Sequence, residues 1–424
     1  MFKLIHKTLL QRRIKGTLNV QSLRTFLSPA YYCQEVWDRR LNSPILQKVN
    51  NDEFFYELDQ KYQRTRELSA VDVDIFVNSI KNGHYVDELL DIVHKLRLTA
   101  ETCNMLSSTN HAVLRTLLQH SSMETIANVL DDRLNYGIFL DYYTANLLMD
   151  ICWKKNDFTS GARIASQLML QEEVEHPVSK NLSLLHCYNY LLKPEGWPEY
   201  QKPEEPEEEV KVRVKFLRNP YDDEHFDLRD PNKIVGKTLA MFTKGNDDPL
   251  NKSFNILGNT LFGKIDKVNA SIKDCQTKNI AIIKEVIELL PSESEVKELV
   301  KSLKQESLNV QEILKKNIES AVQGSSERDI AEQCKIFEQW EEDRMKALET
   351  QRERLSKIRR LKNIEDIQKE LREKETRLWF FEKEEQIELT IEDGQAVVSK
   401  EDKVVKEETD ENYVPPEVQR RRSS

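Results

Sequence analysis

The stretch that decides the fold is residues 142–176, YYTANLLMDICWKKNDFTSGARIASQLMLQEEVEH. It aligns without a gap with the 35 residues before it, 107–141. In this alignment residues 109–111 (TNH) fall on residues 144–146 (TAN). Leu147, Leu148 and Ile151 have helical spacing, and the second half of the unit continues this pattern at Ile164 and Leu168. A period near 35 residues with two helices per unit predicts an α-solenoid, in which each pair buries its apolar face on its neighbours. An irregular helical bundle is the alternative.

The same pattern extends outward from this pair of units. An earlier unit begins near Ser69 and turns at 81–83, so we predict a helical repeat domain over residues 35–192. Glycine is scarce, with 11 residues in 424, and β-sandwiches, barrels and phosphate-binding loops all need glycine in their turns. The sequence therefore predicts an all-α protein: a short α-solenoid, a further helical region and a long charged C-terminal helix.

The N-terminus, residues 1–34, has the composition of a mitochondrial transit peptide. It contains no Asp or Glu, six Lys or Arg residues, and apolar residues between the charges. This acid-free, amphipathic pattern is typical of matrix targeting, and a basic RNA-binding arm is the alternative. The full chain has a formal net charge of −10 and this leader contributes +6, so its removal would leave −16. A protein that acidic can bind RNA only through local basic surfaces.

Residues 193–232 interrupt the helices and are predicted to form a linker. Four prolines alternate with a run of glutamates between residues 194 and 209, which indicates an extended, solvated chain. The following residues, 210–216 (VKVRVKF), alternate strictly between apolar and basic, so an extended backbone would place the cations on one face. We predict that these cations contact phosphate, together with one further arginine: Lys211, Arg213, Lys215 and Arg218.

The C-terminal part is predicted to contain a helical region over residues 233–325, a long charged helix over 326–390 and a disordered tail over 391–424. The apolar residues of the long helix keep a heptad phase only in part, so a coiled coil and a single helix docked on another surface both remain open. Its densest basic stretch is a second candidate phosphate contact, opposed by Glu353 alone: Arg352, Arg354, Lys357, Arg359, Arg360 and Lys362. Residues 420–422 (RRR) form a third. No run of 18 apolar residues is present, so no membrane insertion is expected.

The repeat unit resembles the pentatricopeptide-repeat family. The residues that carry the resemblance are TANLLMD at 144–150, KKN at 154–156, Ala162, Met169 and the preceding GIFLD at 137–141. Two departures from the family pattern are Leu140 in place of proline and Ala145 in place of tyrosine. Residues 136–139, 146–150 and 236–239, in this order, are further similar to the pentatricopeptide-repeat subunits of the mitochondrial small ribosomal particle.

The resemblance implies candidate RNA-binding residues. The base-reading position of the repeat family corresponds to His111 and Asn146, and its partner at the repeat end to Asp141. Histidine and asparagine can hydrogen-bond a base edge while neighbouring groups stack on the base. Residues 69–192, however, contain 9 Lys or Arg against 15 Asp or Glu, which is unfavourable for reading single-stranded RNA. A folded rRNA element or a protein neighbour is the preferred occupant of this surface.

An enzymatic function is disfavoured by the motifs. Residues 258–264 (GNTLFGK) fit most of a P-loop, but Ile265 stands where the Mg²⁺-binding hydroxyl belongs. A second P-loop candidate ends with GKT at 236–238, but Pro231 stands where its first glycine belongs. An acid-rich stretch at 222–227 is predicted to be a surface loop and not a metal site. The six cysteines are dispersed, without a C-x-x-C pair. We therefore expect no catalytic residues, no cofactor, no metal and no small-molecule substrate.

The resemblance implies a structural subunit of the mitochondrial small ribosomal particle, with small-subunit rRNA and neighbouring ribosomal proteins as partners, and the leader-like N-terminus adds the expectation that it acts in the matrix. The rival hypothesis is a free pentatricopeptide-repeat factor that stabilises mitochondrial RNAs or activates their translation. Such factors use many tandem repeats and a basic groove. An enzyme that uses the loop at 258–264 is the least favoured of the three hypotheses.

Overall fold

The structure is a computed structural model that describes residues 25–198, 226, 228–291, 296–301, 303–379 and 382–395. The described chain is helical almost throughout and includes one short parallel pair of strands, β1 (Ile282–Ile283) and β2 (Gln305–Glu306). The all-α class predicted from the sequence is thereby confirmed. The chain divides into two units, Met1–Lys346 and Ala347–Ser424.

The first unit begins with a segment of short helices. Three 3-10 turns, Pro29–Tyr32, Arg40–Asn42 and Leu46–Lys48, flank the helix α1 (Gln34–Arg39) and precede α2 (Asn51–Thr65). Leu27, Tyr31 and Trp37 of this segment are buried in the same hydrophobic core as the repeat helices. The targeting segment predicted from the sequence, residues 1–34, includes Leu27, Tyr31 and Cys33, which are buried in this core. The end of the targeting segment stays a prediction.

Pairs of helices then stack in sequence order. The pairs are α3 (Ala70–Ser79) with α4 (Val86–Arg97), α5 (Ser107–His120) with α6 (Met123–Asp131), α7 (Tyr142–Lys155) with α8 (Phe158–Leu170), and α9 (Pro177–Leu192) with α10 (Pro231–Phe242). The first helices of successive pairs pack on one another, and so do α6, α8 and α10. This is solenoid-like stacking, and it continues through α10, beyond the linker that separates α10 from α9.

The boundaries of the repeat helices follow from local chemistry. The Asp141 carboxylate accepts a hydrogen bond from the Thr144 N–H at 2.9 Å and so caps α7. Asn156 ends this helix in the left-handed conformation with a φ of 58°, which asparagine tolerates better than most residues. Asp157 then caps α8 through the Ser160 N–H at 3.0 Å. The first helices of the two aligned units end at equivalent positions, with Ser121 and Asn156 as their C-caps.

After the repeats come α11 (Pro249–Phe262), α12 (Ile265–Lys278), α13 (Lys284–Glu288) and α14 (Val296–Lys301). A long helix, α15 (Val310–Leu378), follows, and residues 382–395 are also helical. α15 begins 16 residues before the predicted start at 326, because Val310, Leu314 and Ile318 are buried at a spacing of four residues. Among the described residues, no helix combines the length and the apolar character that a membrane span requires.

Candidate functional site

The first helices of the repeats, α3, α5, α7 and α9, share one surface, which we call the first-helix face. Asp74, His111, Asn146 and Asp150 lie on it, so it includes both residues that the sequence proposed for base reading. In the structure two other parts of the chain pack on this face: the N-terminal segment 26–37 and residues 310–346 of α15.

The N-terminal segment is bound through a buried carboxylate. Asp150 is fully buried and accepts hydrogen bonds from the Phe26 N–H at 2.8 Å, the Leu27 N–H at 3.3 Å and the Tyr32 hydroxyl at 2.9 Å. Burial raises the pKa of Asp150 above its ordinary value, and these hydrogen bonds oppose the rise by favouring the ionised form. Asp150 therefore depends on the N-terminal segment for its hydrogen-bond partners.

Asn146 is also occupied by the protein itself. Its Nδ2 donates to the Tyr31 hydroxyl oxygen at 3.1 Å, and its Oδ1 accepts from the Ser179 hydroxyl at 2.8 Å. Its exposed fraction is 0%. The Tyr31 ring stacks on Tyr143 with the ring centroids 5.4 Å apart, which closes the surface above this asparagine. Asn146 is not open to an RNA base in this arrangement.

His111 lies in an aromatic cluster. Its ring centroid is 4.8 Å from that of Trp37, 5.2 Å from that of Phe337 and 5.1 Å from that of Trp340, and its exposed fraction is 2%. Burial lowers the pKa of His111 well below its ordinary value, so the imidazole is neutral at neutral pH. It borders a cavity of about 180 Å³ that Asp141 and Trp340 also line. This placement argues against His111 as a residue that reads bases on an open surface.

Residues 310–346 of α15 cross the first-helix face from the last repeat to the first. Near its start, the Gln311 side-chain amide donates to the Asn189 Oδ1 of α9 at 2.9 Å. In the middle, the Asp329 carboxylate accepts from the Tyr31 hydroxyl at 3.0 Å and lies 3.2 Å from the His176 Nε2. This part of the long helix is thus docked on the chain's own repeats, which is one of the two arrangements left open by its sequence.

A buried ion pair ends this docked part. The Arg344 Nε donates to the Asp74 carboxylate at 2.5 Å, and the side chains are 4% and 0% exposed. The other carboxylate oxygen of Asp74 accepts from the Ser108 hydroxyl at 2.5 Å and the Thr109 hydroxyl at 2.7 Å. Every oxygen of this buried carboxylate is therefore satisfied, as a stable buried pair requires.

The second unit carries the basic stretch. All six predicted cations are exposed: Arg352, Arg354, Lys357, Arg359, Arg360 and Lys362. At about 100° of rotation and about 1.5 Å of rise per residue they are distributed around the helix over about 15 Å of its length. Nearly every direction around this stretch therefore presents a cation, which suits contact with phosphates on more than one side of the helix.

An apolar row follows the basic stretch on the same helix. Ile364, Ile367, Leu371 and Leu378 are separated by three, four and seven residues, which is heptad spacing, and they are between 50% and 80% exposed. We call these four residues the apolar row. Exposed apolar side chains in register on a helix mark a surface for another helix or protein.

Several predicted candidates lie outside the described residues and stay predictions. They are the basic segment Lys211, Arg213, Lys215 and Arg218, the arginines at 420–422, the residues Asp222, Asp223, Glu224, His225 and Asp227 of the acid-rich stretch, and the leader residues 1–24. Among the described residues, no group of acidic, histidine and cysteine side chains has the arrangement of a metal site.

The P-loop-like residues have a structural explanation. Residues 258–262 are the end of α11, and Gly263 closes that helix with a φ of 85°. A Cβ atom at Gly258 would lie 2.6 Å from the carbonyl oxygen of Gly236 on α10, so the two glycines allow a close crossing of these helices. A helical segment in this position cannot form the strand–loop–helix cradle that a P-loop needs.

Sequence reasoning did not find the groups that close the first-helix face. Asp74 and Asp150 lie within apolar runs, VDVDIF and LLMDIC, and an acid at such a position is a signal for a buried, partnered carboxylate. Trp37, Trp340 and Arg344 give no comparable signal, because their partners are distant in the sequence.

The family described as mitochondrial 28S ribosomal protein S27 matches this chain over residues 1–370, which is most of its length.

Proposed function

The chain belongs to the family of mitochondrial 28S ribosomal protein S27, and from this premise we propose that it is a structural, non-catalytic subunit that bridges small-subunit rRNA and neighbouring proteins in the mitochondrial matrix. Family membership makes it a protein of the mitochondrial small ribosomal subunit. The bridging role goes beyond what family membership gives, and its support comes from the described helices.

The observation that carries the proposal is the contrast within α15. Residues 310–346 are held on the repeats by buried contacts such as Arg344 with Asp74. From Arg352 through Trp379 every described side chain is exposed. A helix without a buried face gains most of its stability from packing on something else. A partner outside this chain is the natural source of that packing.

The basic stretch 352–362 suits rRNA as one partner. It carries six cations and one anion, whereas the whole chain has a net charge of −10, so positive potential is concentrated on a short helix. Lys and Arg that neutralise phosphates release counterions, and this supplies affinity without sequence specificity. Recognition of this kind fits a structural protein that holds folded RNA in place.

The apolar row suits a protein as the second partner. Ile364, Ile367 and Leu371 are each at least half exposed, and the position that continues the heptad, Lys374, is charged. Glu370 and Glu375 flank the row, and in a parallel pair of identical helices they would face one another as like charges. This pattern favours a neighbour with basic flanking residues over a second copy of the chain.

A free factor that reads single-stranded RNA is not supported by these contacts. Such a factor needs an open first-helix face, and here Asn146 and His111 are enclosed by Tyr31, Trp37 and Trp340. Binding of RNA along that face would require the N-terminal segment and α15 to leave it.

Gradient sedimentation of the tagged full-length chain from mitochondrial lysate tests the proposal. At high magnesium the chain is expected with the assembled ribosome, and at low magnesium with the separated small subunit. Migration in the light fractions under both conditions would overturn the ribosomal role. In that case, the transcripts that cross-link to the chain would be the next measurement.

A further inference from the structure

The apolar residues of the exposed part of α15 keep two different heptad registers. The apolar row follows one register, which begins at Ile364. Before it, three residues separated by seven and three positions follow a second register, and we call them the near stripe: Leu348, Leu355 and Ile358. The register of the near stripe would continue at Lys362. The two registers are therefore offset by two residues, from Lys362 to Ile364.

This offset places the two sets of side chains on opposite sides of the helix. Each residue of an α-helix rotates by about 100° around the axis, so an offset of two residues rotates the apolar face by about 200°. Insertions of three or four residues rotate the face by about 60° or less, and a coiled coil follows them by local overwinding or unwinding. A rotation of about 200° is too large for that adjustment. One straight partner helix cannot pack on both the near stripe and the apolar row.

The near stripe is open to a partner on its own side. Leu355 is 56% exposed and Ile358 is 52% exposed. Exposed apolar side chains at heptad spacing on a highly charged helix mark a surface for another helix. The near stripe is therefore a contact surface separate from the apolar row.

The charges beside the near stripe differ in sign from those beside the apolar row. Arg352 and Arg359 occupy position e of the register that contains the near stripe, where side chains border the contact with a partner helix. Glu370 and Glu375 border the apolar row. Charges at these bordering positions decide which helices pair, so the two sides of α15 fit neighbours of opposite charge.

We propose that the near stripe packs on a helix of a neighbouring small-subunit protein, and that acidic residues border the apolar face of that helix. Such a helix would bury Leu355 and Ile358 and would form ion pairs with Arg352 and Arg359. A second copy of the chain would bring these arginines together as like charges. RNA would neutralise the arginines but would leave the apolar side chains uncovered. The inference rests on the proposed function and divides the protein partners of α15 between two sides of the helix.

This division leaves room for the rRNA contact of the basic stretch. Lys357 and Arg360 follow Leu355 by two and five residues, which places them about 200° and about 140° around the axis from it. Both are exposed and lie on the side of the helix away from the near stripe. They can therefore contact phosphates while a protein helix covers Leu355 and Ile358.

Site-specific photo-cross-linking in purified small subunits tests this inference. p-Benzoylphenylalanine replaces Leu355, Ile358 or Leu371, one at a time, in the tagged full-length chain. After irradiation, the linked peptides are identified by mass spectrometry. We expect the probes at Leu355 and Ile358 to link to one protein, through a peptide in which Asp and Glu outnumber Lys and Arg. The probe at Leu371 should link to a different peptide, because it lies on the other side of the helix.

Charge reversal tests the role of the arginines, with yields counted per chain present in the particle. Arg352→Glu together with Arg359→Glu should reduce the adduct of the probe at Leu355 about tenfold, because two attractions become repulsions. Lys357→Glu together with Arg360→Glu is the matched control, with the same change of charge on the opposite side. It should change the yield of this adduct by less than about twofold.

The outcomes separate this inference from the proposed function. If the chain is in the small subunit but the probes at Leu355 and Ile358 link to rRNA, to a second copy of the chain or to nothing, the inference is wrong and the ribosomal role stands. Linkage of these probes and of the probe at Leu371 to the same peptide would also overturn it, because one partner would then enclose the helix. If the chain is absent from the small subunit, both the inference and the proposed function fail.

Discussion

The two parts of α15 have the same secondary structure and opposite surroundings. In the first unit, residues 310–346 place Leu314, Phe337 and Arg344 against the repeats. In the second unit, residues 352–378 are exposed on every side and are supported within the helix by pairs such as Lys374 with Glu370, at 3.9 Å. An exposed pair of this kind contributes only about 0.3–0.5 kcal/mol. The first part therefore stabilises the fold, whereas the second is available for assembly.

This contrast predicts where substitutions have their effects. Changes at the first-helix face should lower the free energy of unfolding, because they expose apolar surface or leave a buried polar group without a partner. Changes between residues 352 and 378 should leave folding nearly unchanged and weaken association with the particle. The predictions below run from the largest expected effect to the smallest.

The largest effect is expected from removing the N-terminal segment. A chain that starts at Gln34 lacks the buried Leu27 and Tyr31, and it leaves Asp150 without three of its donors. We expect the free energy of unfolding to fall by more than about 5 kcal/mol, measured by urea denaturation. A chain that starts at Thr25 is the control and should match the full-length chain. Equal stability of the two truncated chains would show that the segment does not close the first-helix face.

Arg344→Ala should have the next largest effect. It leaves the fully buried Asp74 carboxylate without its cation, and the loss of one partner of a buried pair costs about 3–5 kcal/mol. Arg352→Ala is the matched control on the exposed part of the same helix and should change the free energy of unfolding by less than about 0.5 kcal/mol. Similar values for the two variants would remove the distinction between the parts of α15.

Acid should weaken the fold through His111. Its pKa in the folded state lies well below its ordinary value because it is buried, so below about pH 6.5 the unfolded chain takes up a proton that the folded chain does not. With respect to this group, the free energy of unfolding should therefore be highest above about pH 6.5 and should decrease progressively as the pH falls below that value. His111→Phe should remove this part of the pH dependence in urea denaturation.

The comparison of the two proteins isolates the contribution of His111. The raised pKa of Asp150 gives a pH dependence of opposite sign, but it is present in both proteins and cancels in their difference. If wild type and His111→Phe have parallel pH profiles, His111 is protonated within the fold and the aromatic cluster is not closed.

The smallest effect on folding is expected in the apolar row. Ile367→Gln together with Leu371→Gln should change the free energy of unfolding of the isolated chain by less than about 0.5 kcal/mol, because both side chains are more than half exposed. The same pair should reduce the fraction of the chain that sediments with the small subunit. Undiminished association would mean that the row does not pack on a protein neighbour.

Much of the fold could be predicted from the sequence because its signals are local. The 35-residue period, the cap at Asp141 and the turn at Asn156 depend on residues within one repeat. The closure of the first-helix face could not be predicted in this way. Tyr31 meets Asp329 across 298 positions and Arg344 meets Asp74 across 270, and contacts at such separations leave no periodic pattern in one sequence.

The same distinction between local signals and distant contacts applies to the residues of the candidate site. The basic stretch at 352–362 was visible as an excess of cations, and the structure places these residues on the exposed helix, as a surface contact requires. His111 and Asn146 are inferred from their position in the repeat. That position contains no information about which other segments of the chain cover the first-helix face. The start of α15 at Val310 was missed because residues 310–325 are less charged than the rest of the helix.

The measurement that tests the central claim most directly is the release of the chain from purified small subunits at increasing potassium chloride. The wild type is compared with a variant in which six residues become glutamine: Arg352, Arg354, Lys357, Arg359, Arg360 and Lys362. If the exposed part of α15 binds rRNA phosphates, the variant should leave the particle at clearly lower salt and the wild type should show the steeper salt dependence. Identical release curves would contradict this account, because the chain would then be held on the particle without these cations.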